Sequence, residues 1–487
     1  MNKPLSALAL AGLLLSGCSL TPEYQRPEAP LEAAYPGVAP AAAVDEEAVR
    51  VADIGWRDFF ADARLQALIE AALESNRDLR RAALNVEQAR ALYDIREADQ
   101  WPSVGVGGSA TRQRTPGGVS PTGEASTNTR YEVGVTLSAW ELDFFGRLDS
   151  LSEVALAEYL ATEEARRAAQ ISLVAEVARV YLAERAAAEQ LELARQTLEA
   201  RRGAFDLVRQ RYEAGAASRL DLQQADVLVQ SARVSVAALT RQHAQALNAL
   251  NLLVGETVAD LPQAQPLSAQ TVLSDLPPGL PSELLSQRPD IRAAERQLMA
   301  ANANIGAARA AFFPRITLTA GVGTASGELS ELFSSDTGTW SFMPQLVLPI
   351  FDAGRNRTNL RLAEVRENIA VVEYEQTIQN AFREVADALV AREALDEQVE
   401  AQERLLEAQA GRLQLAEQRY QGGVASFLEV LDARRELFDA EQSLLQTRQL
   451  RLTNTIDLYR ALGGGLAEYT ARNQAPEAPE VDTEAEG

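Results

Sequence analysis

The sequence predicts a mainly α-helical chain, duplicated internally, that contributes a few strands to a membrane β-barrel. Three observations carry this expectation. Two proline-free stretches, Leu148–Glu213 and Asn356–Gln421, place apolar residues at every seventh position. Short runs of alternating apolar and small polar residues lie ahead of each stretch. The same plan then occurs twice along the chain, which is the signature of an internal repeat.

Composition narrows the chemistry. The 487 residues include one Cys and one His and carry a formal net charge of -23. One Cys cannot form an intrachain disulfide or a Cys-rich zinc site. The only lysine is Lys3, so once the N-terminus is processed neither a phosphate-loop lysine nor a Schiff-base amine remains. The acidic balance argues against nucleic acid as a partner. Paired carboxylates are the one catalytic option left. Acidic pairs such as Glu163-Glu164 sit among Arg residues at helical spacing and read as solvated ion pairs.

Residues 1–17 read as a secretion signal. Lys3 is a short positive region, and Leu5–Leu15 is almost wholly apolar but too short to span a bilayer. The cut region Leu15-Ser16-Gly17-Cys18 resembles the lipobox of bacterial lipoproteins, which implies lipidation at Cys18. Ser19 follows Cys18 where an Asp would imply retention at the inner membrane, so that resemblance implies sorting to the outer membrane. Residues 18–60 hold many Pro and Ala and read as a lipidated, extended linker. One acyl anchor is weak alone and calls for a second membrane element.

The first repeat is expected over 61–260 and the second over 282–465, joined by a linker at 261–281 and followed by an acidic, disordered tail at 466–487. Asp78-Leu79-Arg80 with Ala82, Ala89, Ala98 and Pro102 matches Asp290-Ile291-Arg292 with Ala294, Ala301, Ala310 and Pro314 at one constant offset. Gly146-Arg147 matches Gly354-Arg355 at a slightly shorter offset, so the first copy holds the longer loop between Pro102 and Gly146. That shorter offset also aligns Arg211–Asp221 with Arg419–Glu429. Each copy predicts a helix (Asp62–Gln100; Ser282–Phe313), two strands, a long helix (148–213; 356–421), a Gly turn and a returning helix (Ser218–Val254; Ser426–Leu462).

Leu191, Leu198, Phe205 and Tyr212 recur every seven residues, as do Val399, Leu406, Leu413 and Tyr420. Such spacing implies supercoiled neighbours. At a rise of 1.5 Å per residue each long helix spans roughly 100 Å. The shorter helices, stacked in pairs, give about 104 and about 114 Å. This predicts a layer in which continuous and broken helices run side by side.

The strands are expected at 103–111, 131–140, 316–326 and 340–350. Tyr131, Val133, Val135, Leu137 and Ala139 share one face, as do Ile316, Leu318, Ala320 and Val322, and Trp340, Phe342, Leu346 and Leu348. Alternation over about ten residues with terminal aromatics is the pattern of an outer-membrane strand; ordinary surface hairpins are the alternative. Lipid does not tolerate an open sheet edge, and the smallest bacterial membrane barrels have about eight strands. Membrane strands here therefore require several chains to share a barrel. Two chains would give a barrel filled by side chains, whereas about twelve strands from three would leave a channel.

Several motifs converge. The Leu-Ser-Gly-Cys lipobox, Trp140-Glu141-Leu142-Asp143-Phe144-Phe145-Gly146-Arg147, Arg288-Pro289-Asp290-Ile291, and the two Arg-Tyr-x-x-Gly-x-x-Ser turns resemble outer-membrane efflux lipoproteins of the TolC/OprM type. The resemblance covers the mature chain except its acidic tail. It implies a homotrimer, with a 12-stranded outer-membrane β-barrel continuous with a long periplasmic α-helical barrel. It further implies a periplasmic adaptor (membrane fusion) protein and an inner-membrane resistance-nodulation-division pump as partners, with drugs and other small toxic compounds as cargo.

The paired turns are the candidate functional site. Gly215 and Gly423 suit left-handed helix caps, and Ser218-x-x-Asp221 and Ser426-x-x-Glu429 read as capping boxes. The resemblance adds a gate at the periplasmic aperture formed by Leu428, Asp432, Asp221, Glu429 and Tyr420. It also implies adaptor contact by the turns carrying Arg211, Gly215, Ser218, Arg419, Gly423 and Ser426. Some members of that family hold an Arg where this chain has Ala425, so one ionic latch is missing. His243 reads as a surface or interhelix residue. No metal site, catalytic constellation or cofactor beyond the lipid on Cys18 is expected. A lipid-anchored periplasmic coiled-coil adaptor or scaffold is the competing reading; it explains the lipobox and heptads but not the symmetrically placed strands. An envelope hydrolase using carboxylates is a third, without positive support.

Overall fold

The computed structural model describes residues 20–30, 35, 49–121, 123–256, 261–273, 276–277, 279 and 281–470. The signal segment, Cys18 and the tail beyond Thr470 lie outside the described residues. The principal helices are α1 Ala63–Ser75, α2 Arg77–Ala98, α3 Arg147–Glu213, α4 Arg219–Val254, α5 Pro289–Ala310, α6 Arg355–Gln421 and α7 Phe427–Ala461. The strands are β1 Val104–Thr115, β2 Ser126–Leu142, β3 Arg315–Ser326 and β4 Gly338–Val347. The two long helices, α3 and α6, are 67 residues each, as the proline-free stretches predict. Among the described residues no helix is long and apolar enough to cross a membrane. The described residues pack into two compact units, one within 20–28, 85–163 and 293–374, the other within 29–84, 164–292 and 375–470.

The first unit contains an antiparallel sheet of order β1-β2-β3-β4. Its register sorts residue types by face, because side chains alternate along a strand and align across it. Val106, Val135, Val322 and Trp340 form one row, and Val104, Leu137, Ala320 and Phe342 the next. The opposite face carries rows such as Gly105, Thr136, Gly321 and Ser341. The apolar face is uncovered: Val106 and Trp340 are each 80% exposed. Pro344 lies on β4, an edge strand, where proline is tolerated. The hairpin pairs as far as Thr115 and Ser126, well past the expected ends of both strands. That extension is polar and leaves no mark in the hydrophobic pattern.

Residues 20–28 form no regular element but dock on this unit. The Arg26 guanidinium grips Glu295 through two bonds of 2.6 and 2.9 Å, and the Tyr24 hydroxyl donates to the same carboxylate at 3.2 Å. Thr21 and Ser150 share a hydroxyl bond of 3.1 Å. Gly306 of α5 lets them approach, since a Cβ there would lie 2.6 Å from the Ser150 hydroxyl.

The second unit is built on an aromatic cluster. Phe59 stacks on Tyr459 at 3.9 Å, and the Tyr459 hydroxyl donates to the Ile54 carbonyl at 2.6 Å. Trp56, Phe59 and Phe60 are buried, so the end of the expected 18–60 linker is core here. The aromatic run was its visible signal. Asp62 caps α1 by accepting from the Arg64 amide at 2.8 Å and also accepts from the buried Tyr181 hydroxyl at 2.6 Å.

Two expected helices are broken. Asp62–Gln100 divides at Asn76, whose backbone is extended (φ -64, ψ 128). Its side chain donates to the Leu253 carbonyl at 2.7 Å and accepts from the Leu79 amide at 2.8 Å, capping α2. Ser282–Phe313 reduces to a single turn, Leu284–Gln287, and then α5, which starts at Pro289. Proline is favoured at the first helical position and forces the residue before it out of the helical region; Arg288 is accordingly extended (φ -89, ψ 119). These breaks lower the summed lengths of the short helices to about 87 and 86 Å, nearly equal to each other.

Candidate functional site

In the second unit, α3 and α6 each end in a tight turn of the same construction. Gly215 and Gly423 take φ of 77° and 73°, the left-handed region where a Cβ is strained. The Ala216 amide donates to the Arg211 carbonyl at 2.7 Å and the Gly215 amide to the Tyr212 carbonyl at 2.9 Å. The Val424 and Gly423 amides do the same to Arg419 and Tyr420, each at 3.0 Å. This paired pattern satisfies carbonyls left open at a helix end. It fixes the reversal from which α4 and α7 return.

The two returning helices start differently. Ser218 and Asp221 form the expected capping box, with bonds of 3.1 and 2.9 Å between each side chain and the other's amide. The Ser218 hydroxyl and amide hold the Asp221 carboxyl below the usual carboxylate range. Ser426 makes no side-chain cap. Its partner in the motif, Glu429, turns instead toward Arg419 at 3.5 Å. The longer Glu side chain reaches the arginine at the end of the preceding helix, so the second expected capping box is replaced by an ion pair.

The helices above the turns pack as the seven-residue spacing predicts except at Tyr212, which is 40% exposed. Leu198 is buried with Val229 and Ala232 against Phe205. Ala416, Val430 and Ala433 are buried with Leu413, Tyr420 and Phe427 packed on them. Tyr420 is the meeting point of the two turns. Its hydroxyl accepts a bond from Arg211, whose guanidinium also sits 5.5 Å from the ring centre. Its other neighbour, Phe427, lies 5.2 Å away. Arg211 of the first turn is therefore brought to Tyr420 of the second, which sequence spacing could not reveal.

The remaining site residues sit on the returning helices. Leu428 is 48% exposed, unusual for a leucine on a packed helix. Asp432 lies 3.6 Å from Arg435, one turn on, and Arg435 also pairs with Glu436 at 3.2 Å. Arg434 pairs with Glu417 at 2.8 Å, tying α7 to α6. The sequence reading missed Arg434 and Arg435; the three-residue spacing of Asp432 and Arg435 was the available signal. Away from the turns, His243 of α4 meets the buried Glu184 of α3 at 2.9 Å, the interhelix role expected of it. Among the described residues no group of three His, Cys, Asp or Glu could hold a metal ion.

Comparison with known proteins gives a consistent result. The family model for outer membrane efflux protein matches residues 68–256 and 280–464. The chain is 50% identical over 457 residues to the toluene efflux pump outer membrane protein TtgF of Pseudomonas putida, covering 93% of this chain and 95% of that one. It is 46% identical over 484 residues to the antibiotic efflux pump outer membrane protein ArpC of Pseudomonas putida, covering 99% of each. The structure resembles the open state of the Neisseria gonorrhoeae MtrE outer membrane channel, with a TM-score of 0.85 and 41% identity over 93% of this chain and 100% of that one.

Proposed function

The chain belongs to the outer membrane efflux protein family, and from that premise we propose that it is the outer-membrane exit duct of a tripartite efflux pump. It passively conducts drugs and other small toxic compounds delivered by a periplasmic adaptor and an inner-membrane resistance-nodulation-division pump. The relatives named for toluene and antibiotic efflux support this cargo class.

The observation that carries the reading is the uncovered apolar face of the sheet, with Trp340 and Val106 turned outward. A large exposed apolar surface needs a partner, and a lipid bilayer satisfies one face while the Gly, Ser and Thr face lines water. The competing scaffold reading gives this face no partner.

The functional unit is a homotrimer with a 12-stranded barrel. The sheet ends in two open edges, β1 and β4, and closure removes edges that lipid does not tolerate. The helices leading to and from those edges are also bare. No residue of α2 is buried, and Leu84, Leu92 and Ile95 stand exposed. On α6, Leu362, Val365, Ile369 and Val372 are exposed. In α5, the repeat counterpart of α2, Ile291, Leu298 and Ile305 are buried. One edge of a copy is thus complementary to the other edge of the next, a head-to-tail contact that closes a ring. The family match in two segments supports the twofold repeat behind this symmetry.

Cys18 carries the lipid, and most of the chain lies in the periplasm. The turns face the adaptor, and Leu428, Asp432, Asp221, Glu429 and Tyr420 form the gate. Some members of the family hold an Arg at the position of Ala425; in this chain the cation nearest Tyr420 is Arg211. Repeated around the axis, Asp221, Glu429 and Asp432 favour cations at the aperture. No catalytic step is assigned to any residue.

Planar-bilayer recording of the purified protein tests this. Asp432→Ala is expected to raise single-channel conductance and weaken cation selectivity. Unchanged conductance and selectivity would count against the gate, and a non-conducting monomer that needs no detergent would count against the duct.

A further inference from the structure

The apolar face of the sheet does not stop at an apolar residue. Along β1 it runs Val104, Val106, Gly108 and Ala110, then Arg112 and Arg114. Their cross-strand partners are Leu137, Val135, Val133 and Tyr131, then Thr129 and Thr127. Both arginines therefore stand on the face that the barrel reading turns to lipid. Arg130, opposite Thr111, stands on the other face, and its charge is met by Glu132. Among the described residues neither Arg112 nor Arg114 has an ion-pair partner, and both are exposed.

Their height is set by the strand. On β2 the apolar face runs from Leu142 to Tyr131 across a β-bulge between Leu137 and Trp140, which adds a residue without length, so the face spans roughly 34 Å at about 3.4 Å per residue. A tilt of about 45° reduces this to about 24 Å, close to the thickness of the apolar band of an outer-membrane barrel. Tyr131 then falls at the interface, where aromatic girdles sit. Arg112 lies one step of about 7 Å along the strand beyond it, at the level of lipid headgroups. The end of the sheet joined to α3 and α6 is the periplasmic end, so Arg112 and Arg114 belong to the outer leaflet.

We propose that Arg112 and Arg114 bind the phosphate groups of an anionic, phosphorylated glycolipid in the outer leaflet. This rests on the barrel reading above. The guanidinium fork matches phosphate oxygens in paired bonds, and two cations about 7 Å apart on one strand face suit a headgroup bearing more than one phosphate. Thr127 and Thr129 offer hydroxyls beside them. Closure by three copies repeats the pair around the rim and tethers a ring of lipid to the barrel.

The test uses full-length protein in mild detergent with diphosphorylated lipid A as the probe. Arg112→Gln with Arg114→Gln is expected to weaken binding roughly tenfold, and the paired Lys variants to retain part of it. Arg130→Gln, on the opposite face, is expected to leave binding unchanged. The dephosphorylated glycolipid is expected to bind as weakly to the native chain as lipid A binds to the double Gln variant. Millimolar inorganic phosphate is expected not to compete, because the acyl chains hold the headgroup in place; full competition would mean a free-phosphate site and overturn the lipid assignment. Equal binding of the dephosphorylated probe, or an equal loss in Arg130→Gln, also overturns it. Conductance of the double variant separates the two readings. Native conductance with native lipid A binding sinks this proposal alone, whereas absence of any conductance in the native protein sinks the barrel with it.

Discussion

Ser218 and Ser426 hold matching places after matching turns, yet only Ser218 caps its helix. The difference follows from one methylene. Asp221 is short enough to return to the Ser218 amide, while Glu429 extends to Arg419. Ser218→Ala is expected to remove about 1 kcal/mol of capping, so that first-turn amides of α4 exchange roughly fivefold faster. Ser426→Ala should leave α7 nearly unchanged in the same hydrogen-exchange measurement. The effect also has a pH sign. The Asp221 carboxyl is held below its ordinary value by Ser218, so its contribution is present above the unfolded value and fades as pH falls through the folded one. The gap between the native chain and Ser218→Ala therefore narrows in acid. The capping box was legible because both partners lie within four residues. The meeting of Arg211 with Tyr420 was not, since it joins two turns from distant parts of the chain.

At the scale of elements, the long helices were read to within a residue at the N-terminal end because the heptad repeats and the absence of proline act together. The breaks at Asn76 and at Arg288-Pro289 were overlooked although both carry local signals, an Asn that caps and a proline at a helix start. The second break is held by a buried cation. Arg288 reaches Asp290 at 2.6 Å, Glu384 at 2.9 Å and the Ala461 carbonyl at 3.1 Å, joining α5, α6 and α7. Burial alone would push the Asp290 carboxyl up, but the hydrogen bonds and charge of Arg288 outweigh it and hold the group below the usual range. Arg288→Met leaves Asp290 without its cation and Glu384 with only Arg460, 3.5 Å away, and is expected to cost about 3 kcal/mol. Thermal unfolding should show the loss near neutral pH and a smaller one in acid, where Asp290 is protonated. A helix drawn straight through Arg288 would have hidden this tie. The sheet was legible in its apolar middle and not at its polar outer ends.

For the whole molecule, the sequence carried a conditional need for more than one copy: strands placed in a membrane are too few in one chain to close a barrel. What it could not carry was which faces are bare, because α2 and α5 share a motif and only one of them is buried. The proposed ring predicts that the detergent-extracted protein has about three times the mass of one chain by light scattering. Substituting Glu for Leu92 and Ile95 on α2 should reduce the trimer in favour of single copies. A stable monomer in the native chain would overturn the ring.

The pairing of β2 with β3 has a consequence for biogenesis. The β1–β2 hairpin is local and can close as soon as Leu142 has been exported. Its neighbour β3 begins at Arg315, and between them lie all of α3, α4 and α5. Non-local pairing of this kind is slow, because the chain entropy of closing so large a loop must be overcome before any ladder bond forms. During that interval the far edge of β2 stays open beside Tyr131, Val133 and Val135, an aggregation hazard of the kind that edge strands present. Pairing of β3 is therefore expected to lag behind closure of the β1–β2 hairpin, and until it forms that hairpin edge needs shielding.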